Sequence, residues 1–249
     1  MKANKLEKYI KNEQGSGTLL IMVGMVLAAI FFGLLFFDFS NVFINKRVTQ
    51  TGADAAAIAA AQESNDVMKE HLKEKTQEEL DLLGEAWEDF LEKALNPPEE
   101  EPAEGEEDTP PPAPPSIEEI LAMFVAQVEA AKGKPMPADV EAWLLNHSVK
   151  VKAATAMKFF FKDNEVVNMS CKVVRDHLED ARKEAEEFAK KNQNDKLTDI
   201  KFIPNDFRIY VETERKGKYT TVPDSDVPAI TSEASARIGN PEGYEISCS

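Results

Sequence analysis

Residues Gly17 to Phe37 read GTLLIMVGMVLAAIFFGLLFF, 21 positions without one charge. As a helix rising about 1.5 Å per residue this run is about 31 Å long, enough to cross the hydrocarbon core of a bilayer. A buried helix of a soluble domain is the alternative, but such helices rarely stay uncharged over this length. The leader, residues 1–16, holds Lys2, Lys5, Lys8 and Lys11 against Glu7 and Glu13, whereas only Lys46 and Arg47 follow the run before residue 68. Basic residues stay on the cytoplasmic side, so the N-terminus is expected inside and everything beyond residue 37 outside. A cleaved signal peptide has a shorter apolar core, with small residues just behind it. Here Asp38, Phe39, Ser40, Asn41, Val42 and Phe43 follow, which predicts an uncleaved anchor.

Outward from the span, residues 38–95 form a helical segment. NVFINKRVTQTGADAAAIAAAQ is rich in helix formers, and Gly52 within it costs roughly 1 kcal/mol. Leu72, Leu80, Leu83, Trp87, Phe90 and Leu91 then fall on one helical face, which needs a partner surface. Residues 96–116, NPPEEEPAEGEEDTPPPAPPS, hold eight prolines and seven acidic residues and predict an exposed linker. A solvated spacer explains these carboxylates better than a calcium loop, because no glycine-turned ligand pattern is present.

Residues 117–249 predict an α+β extracytoplasmic domain with a small antiparallel sheet and packed helices. Ser116 and Glu119 form a capping box before Ile117, Ile120, Leu121, Phe124, Val125 and Val128, and a short helix, Ala138 to Leu145, follows Pro137. Strict alternation predicts a strand in which Val149, Val151, Ala153, Thr155, Met157, Phe159 and Phe161 share one face. Val174, Leu178, Ala181, Ala185 and Phe188 predict one amphipathic helix over about 171–192. Phe207, Ile209 and Val211 predict a strand, Lys216 and Gly217 a turn, and 219–222 its hairpin partner; a last alternating run starts at Ile230.

Charge and motifs exclude several functions. With 29 Lys+Arg against 45 Asp+Glu and a net charge of -16, the chain is a poor nucleic-acid partner. His71, His147 and His177 lack zinc-ligand spacing, and no nucleophile turn or phosphate-binding glycine loop is present. The cluster Asp176, His177, Glu179, Asp180 reads as a solvated helix face and PDSDVP, 223–228, as a turn. No enzyme, cofactor or metal site is expected. Cys171 and Cys248 both fall outside the membrane on this topology. A bridge between them would restrain the unfolded chain by about 4 kcal/mol, two free thiols being the alternative. Within the span, Gly24 with Ala28 and Ala29 with Gly33 have the small-xxx-small spacing that lets helices approach closely in lipid, including a second copy of the chain. Asp54 sits among alanines that are better helix formers, which suggests a partner for it, Lys46 or Arg47 of a neighbouring subunit.

The run from Asn12 to Ala61 resembles the N-terminal domain of TadE/TadG-like proteins of Flp, or tight adherence, pilus assembly. The features that carry the resemblance are Gly15 and Gly17 before the span, Asp38 at its outer edge, Lys46, Arg47, Gln50, and Asp54 followed by Ala55, Ala56 and Ala57. VETERKGKYTT and ITSEASARI are similar to the family's closing strands. The resemblance implies a non-enzymatic, single-pass membrane component whose partners are pilus or secretion-machine subunits. A membrane-tethered receptor or adaptor unrelated to pili is the other reading. Two features depart from family patterns. Prepilin-like members carry Glu at the fifth position after a processing glycine, where this chain has Leu20 or Met22. The metal site of larger members is not completed by Asp38, Ser40 and Val42.

Overall fold

The structure, a computed structural model, describes residues 16–96 and 115–248. The basic leader expected at 1–16, apart from Ser16, and residues 97–114 of the expected linker lie outside the described residues. Helix α1 runs unbroken over Ser16–Leu95, so the uncharged run and the helical segment expected at 38–95 are one helix of 80 residues. Its first third is apolar and exposed from Leu19 to Phe37. Among the described residues it is one helix long and apolar enough to cross a membrane.

Helix α2, Ile117–Lys132, opens on the capping box: Glu119 N–H donates to Ser116 Oγ at 3.3 Å, and Ser116 N–H donates to Glu119 Oε2 at 2.8 Å. Gly133 closes it in the left-handed region (φ 71°), which only glycine enters without strain. Helix α3 spans Ala138–Leu145, the bounds read from the sequence.

The strand expected at 149–161 is instead helix α4, Ala153–Phe160. Ala153, Ala154, Ala156 and Met157 favour helix. Ala156, Phe159 and Phe160, spaced three and four apart, are buried together, while Lys158 is exposed. Because alanine and phenylalanine occupied both faces of the alternation, the period of two was a coincidence of composition. The helix expected at 171–192 also differs. It begins earlier and is broken once, as α5, Asp163–Asp176, and α6, Leu178–Lys191, with His177 between them at φ -105°, ψ 20°. One non-helical residue leaves the three-and-four spacing of apolar side chains nearly intact, so periodicity could not reveal the break.

Three strands follow, β1 at Lys196–Ile203, β2 at Arg208–Arg215 and β3 at Ile230–Arg237, forming an antiparallel sheet in the order β1-β2-β3. The fold is therefore α+β. The hairpin partner of β2 is β1, and residues 219–222 form no strand. The turn between β1 and β2 is Pro204-Asn205-Asp206-Phe207, closed by Phe207 N–H donating to Pro204 O at 3.1 Å. In β1 only Leu197 and Ile200 are buried, three apart, which hides the strand from an alternation test.

The chain divides into two compact units. Of the described residues, one contains 16–59 with 183–200 and 210–235; the other contains 60–96, 115–182, 201–209 and 236–248. The second has its own apolar core. Leu80, Leu83 and Trp87 of α1 pack with Ile120 and Phe124 of α2, with Val140 and Trp143 of α3, and with Phe159 and Phe160 of α4. Phe124 meets Trp87 and Phe90 with ring centroids 5.4 Å away in each case. Gly84 admits Trp143, whose ring would lie 3.1 Å from a Cβ at that position. A disulfide joins Cys171 of α5 to Cys248, Cα atoms 5.9 Å apart, and Cys248 N–H donates to Pro204 O at 3.2 Å.

A core substitution separates the helix from the alternating strand. Phe160 is buried in α4, but alternation would place it opposite the apolar face. Phe160→Ala should lower unfolding stability by about 3 kcal/mol, measured by urea titration. A change below about 0.5 kcal/mol would return the segment to an exposed strand face.

Candidate functional site

In the first unit the outer part of α1 carries a polar stripe. Asp38, Asn45, Thr49, Gly52, Ala53 and Ala56 are buried along it, with successive spacings that keep them on one side of the helix. Lys46 and Gln50 border the stripe one helical turn apart.

These two side chains meet the edge of β3, which as the outer strand of the sheet has main-chain carbonyls on one side without a strand partner. Lys46 Nζ donates to Thr231 O at 2.6 Å and to Ser232 Oγ at 3.1 Å. Gln50 Nε2 donates to Glu233 O at 3.0 Å and to Asp54 Oδ1 at 3.1 Å. The spacing explains the fit. Donors four residues apart on a helix are about 6.0 Å apart along its axis, and carbonyls two residues apart on a strand about 6.8 Å. The helix thus offers donors at nearly the repeat with which the strand edge offers acceptors.

Two further contacts hold the stripe. Helix α6 ends in a turn in which Gln193 takes a left-handed φ of 67°, Gln193 N–H donates to Lys190 O at 3.0 Å and Asn194 N–H to Ala189 O at 2.9 Å. This turn places the buried Asn194 on α1, where Nδ2 donates to Thr49 O at 3.0 Å and to Thr213 Oγ1 at 2.7 Å. Gly52 makes room for it, because a Cβ there would overlap the Asn194 amide.

At the N-terminal end of the stripe Asp38, only 7% exposed, receives Thr220 N–H at 2.7 Å, Thr221 N–H at 2.6 Å and the Thr221 hydroxyl. The hydroxyl bond holds the Asp38 carboxyl below the usual carboxylate range against the opposing effect of burial, and the two N–H groups add to it.

Asp38, Lys46 and Gln50 are therefore engaged within the chain. Arg47 and Asp54 are exposed, with Gln50 as the partner of Asp54. Gly24, Ala28, Ala29 and Gly33 are exposed, and nothing lies within 4 Å of a Cβ built on either glycine. The sequence reading missed Thr49, Asn194, Thr213, Thr221 and Ser232. Gly52 was the one legible sign of them, since a glycine in an alanine-rich helix marks a close approach.

Chemistry elsewhere is sparse. A cleft of about 900 Å³ in the second unit is lined by Lys134, Lys152, Lys158 and Thr155 among others, but Lys134 Nζ is spent on Lys158 O and Phe161 O. His177 Nδ1 lies 3.1 Å from Asp180 Oδ2 on an exposed face, and His147 stacks on Trp143 with ring centroids 4.4 Å apart. No group of three metal-ligating side chains occurs among the described residues.

The fold and stripe define an α+β protein led by a long apolar helix whose outer part is a docking rail for its own C-terminal sheet. Residues 15–63, the segment that supplies the uncharged run and the rail, match the model of a family described as putative Flp pilus-assembly TadE/G-like. No curated protein and no solved structure matches the chain.

The stripe makes a prediction opposite in sign to helix propensity. Alanine is the better helix former by roughly 1 kcal/mol, yet Gly52→Ala should destabilise the protein by about 1–2 kcal/mol because it expels Asn194 from two buried hydrogen bonds. Urea unfolding of the detergent-solubilised chain checks this, and a stabilised variant would remove Asn194 from α1.

Proposed function

We propose that this chain is a single-pass membrane component of Flp-type pilus assembly that acts through protein contacts rather than catalysis. The observation that carries the reading is the family match at residues 15–63, which falls on the uncharged run and on the rail just beyond it. The lysine-rich leader puts the N-terminus in the cytoplasm and the bulk of the chain outside. The Cys171–Cys248 bond suits an oxidising, extracytoplasmic compartment. Partners are the bilayer and other pilus or secretion-machine subunits, with no cofactor and no nucleic acid. Lys46 and Gln50 serve the chain's own sheet, which leaves the membrane face of α1 and the exposed Asp54 as the surfaces for a partner. Gly24, Ala28, Ala29 and Gly33 give that face its small residues, over which another helix packs closely in lipid.

The test uses substitutions that the isolated chain tolerates. Gly24→Leu enters open space, and Asp54→Ala removes an exposed carboxylate bonded to Gln50. Each variant should insert into the membrane at the normal level while reducing pilus assembly, scored by surface filaments and by cross-linking to neighbouring subunits. Full assembly in both would reduce the helix to an anchor.

A further inference from the structure

The exposed apolar surface of α1 does not stop where the uncharged run stops. Beyond Phe37, Phe39 is 63% exposed, Val42 42%, Phe43 60% and Ile44 57%, and the rings of Phe39 and Phe43 stack edge-on at 5.1 Å. The charge that interrupts this surface, Asp38, is turned inward onto Thr220 and Thr221. On the lipid side α1 therefore stays apolar from Leu19 to Ile44 apart from its small residues, Ser40 and Asn41. Residues 17–37 account for about 31 Å, the hydrocarbon core, and 38–44 for about 10 Å more, enough to cross one headgroup layer of roughly 5–8 Å.

The loop held by Asp38 lies at this depth. It carries exposed Lys216 and Lys218, with Val222 44% exposed, in a chain whose net charge is -16. Asp38 pins its Thr220–Thr221 end. At its start, Gly217 lies so near Asn45 that a Cβ there would come within 2.8 Å of the Asn45 amide. The loop is thus fixed along α1 between Asp38 and Asn45, the stretch that crosses the headgroup layer.

We infer that the loop Lys216–Val222 is a second membrane contact, seated in the headgroup layer of the leaflet from which α1 emerges. Lys216 and Lys218 hold anionic lipid headgroups, and Val222 with Phe39 and Phe43 enters the boundary with the acyl chains. Continuity with the apolar run selects lipid as the occupant, and the lysines select its charge, because a basic segment at an anionic surface is drawn to it. Asp38 is the positioning residue: its buried carboxylate sets the depth of the loop. Asp195, whose Oδ2 accepts from Lys216 N–H at 2.6 Å, and Asp224 and Asp226 beyond Val222 limit the basic patch to the two lysine side chains. The inference rests on the proposed membrane anchoring and adds the lipid class and the depth.

The test reconstitutes the full chain in vesicles of phosphatidylcholine alone or with one-third phosphatidylglycerol. A fluorophore is placed at Val222→Cys or, in a separate protein, at Gly33→Cys, and lipids carry a spin-label quencher at the headgroup or mid-chain. Gly33 should be quenched by the mid-chain label and position 222 by the headgroup label, the latter more strongly with phosphatidylglycerol. Lys216→Glu with Lys218→Glu, both exposed and thus compatible with folding, should abolish that dependence, and Asp38→Asn should weaken quenching at 222 without altering it at 33. Quenching at 33 but not at 222 overturns the loop contact and leaves the anchor standing; quenching at neither overturns the anchor as well. Equal quenching with and without phosphatidylglycerol overturns headgroup recognition. Quenching at 222 that appears only on dilution of protein in lipid shows that a second copy covers the surface, which also overturns it.

Discussion

Two amine and amide donors one helical turn apart, Lys46 Nζ and Gln50 Nε2, meet two carbonyls one strand repeat apart, Thr231 O and Glu233 O. The fold of the first unit depends on that match. An edge strand with open carbonyls is a template for another chain, and proteins blunt it by covering or charging it. Here the cover is a helix, and because the helical and extended repeats nearly coincide, the register of β3 along α1 is fixed to within one residue. Asn194 on Gly52 and Thr221 on Asp38 extend the same attachment in both directions.

The attachment changes what the matched segment means. In sequence Asp38, Lys46 and Gln50 are features of a family resemblance that implies other subunits as partners. Each has its reason in residues more than 180 positions later. What α1 leaves uncovered is its apolar N-terminal part, where Gly24 and Gly33 have nothing over them, and the exposed carboxylate of Asp54. On the proposed function, a contact made along the apolar run would reach the sheet through continuous helix, because the sheet is fastened to the same helix.

Legibility followed the range of the interactions. Ser116 with Glu119, Pro137 before α3, and the uncharged run are local signals, and each marked a helix. Helix α4 was misread because Ala153 to Phe161 satisfies a period of two and a helical spacing at once, and only the cluster around Trp143 and Ile120 chooses between them. Strand β1 was missed because its buried residues, Leu197 and Ile200, do not alternate, although the Pro-Asn-Asp turn at 204–206 signals a hairpin by itself. The docking partners of α1 lie too far along the chain for spacing to expose them, and Gly52 alone left a trace.

The most direct test of this account is a cross-link between Lys46→Cys and Ser232→Cys, with the native cysteines held in their own bond. Lys46 Nζ and Ser232 Oγ lie 3.1 Å apart in one chain, so a short thiol-reactive linker should join the two positions within a monomer. Mass spectrometry should then find the linked peptide pair at monomer mass, whatever the protein concentration. Linked dimers in place of monomers, or no link at all, would contradict the claim that the helix is a rail for its own sheet.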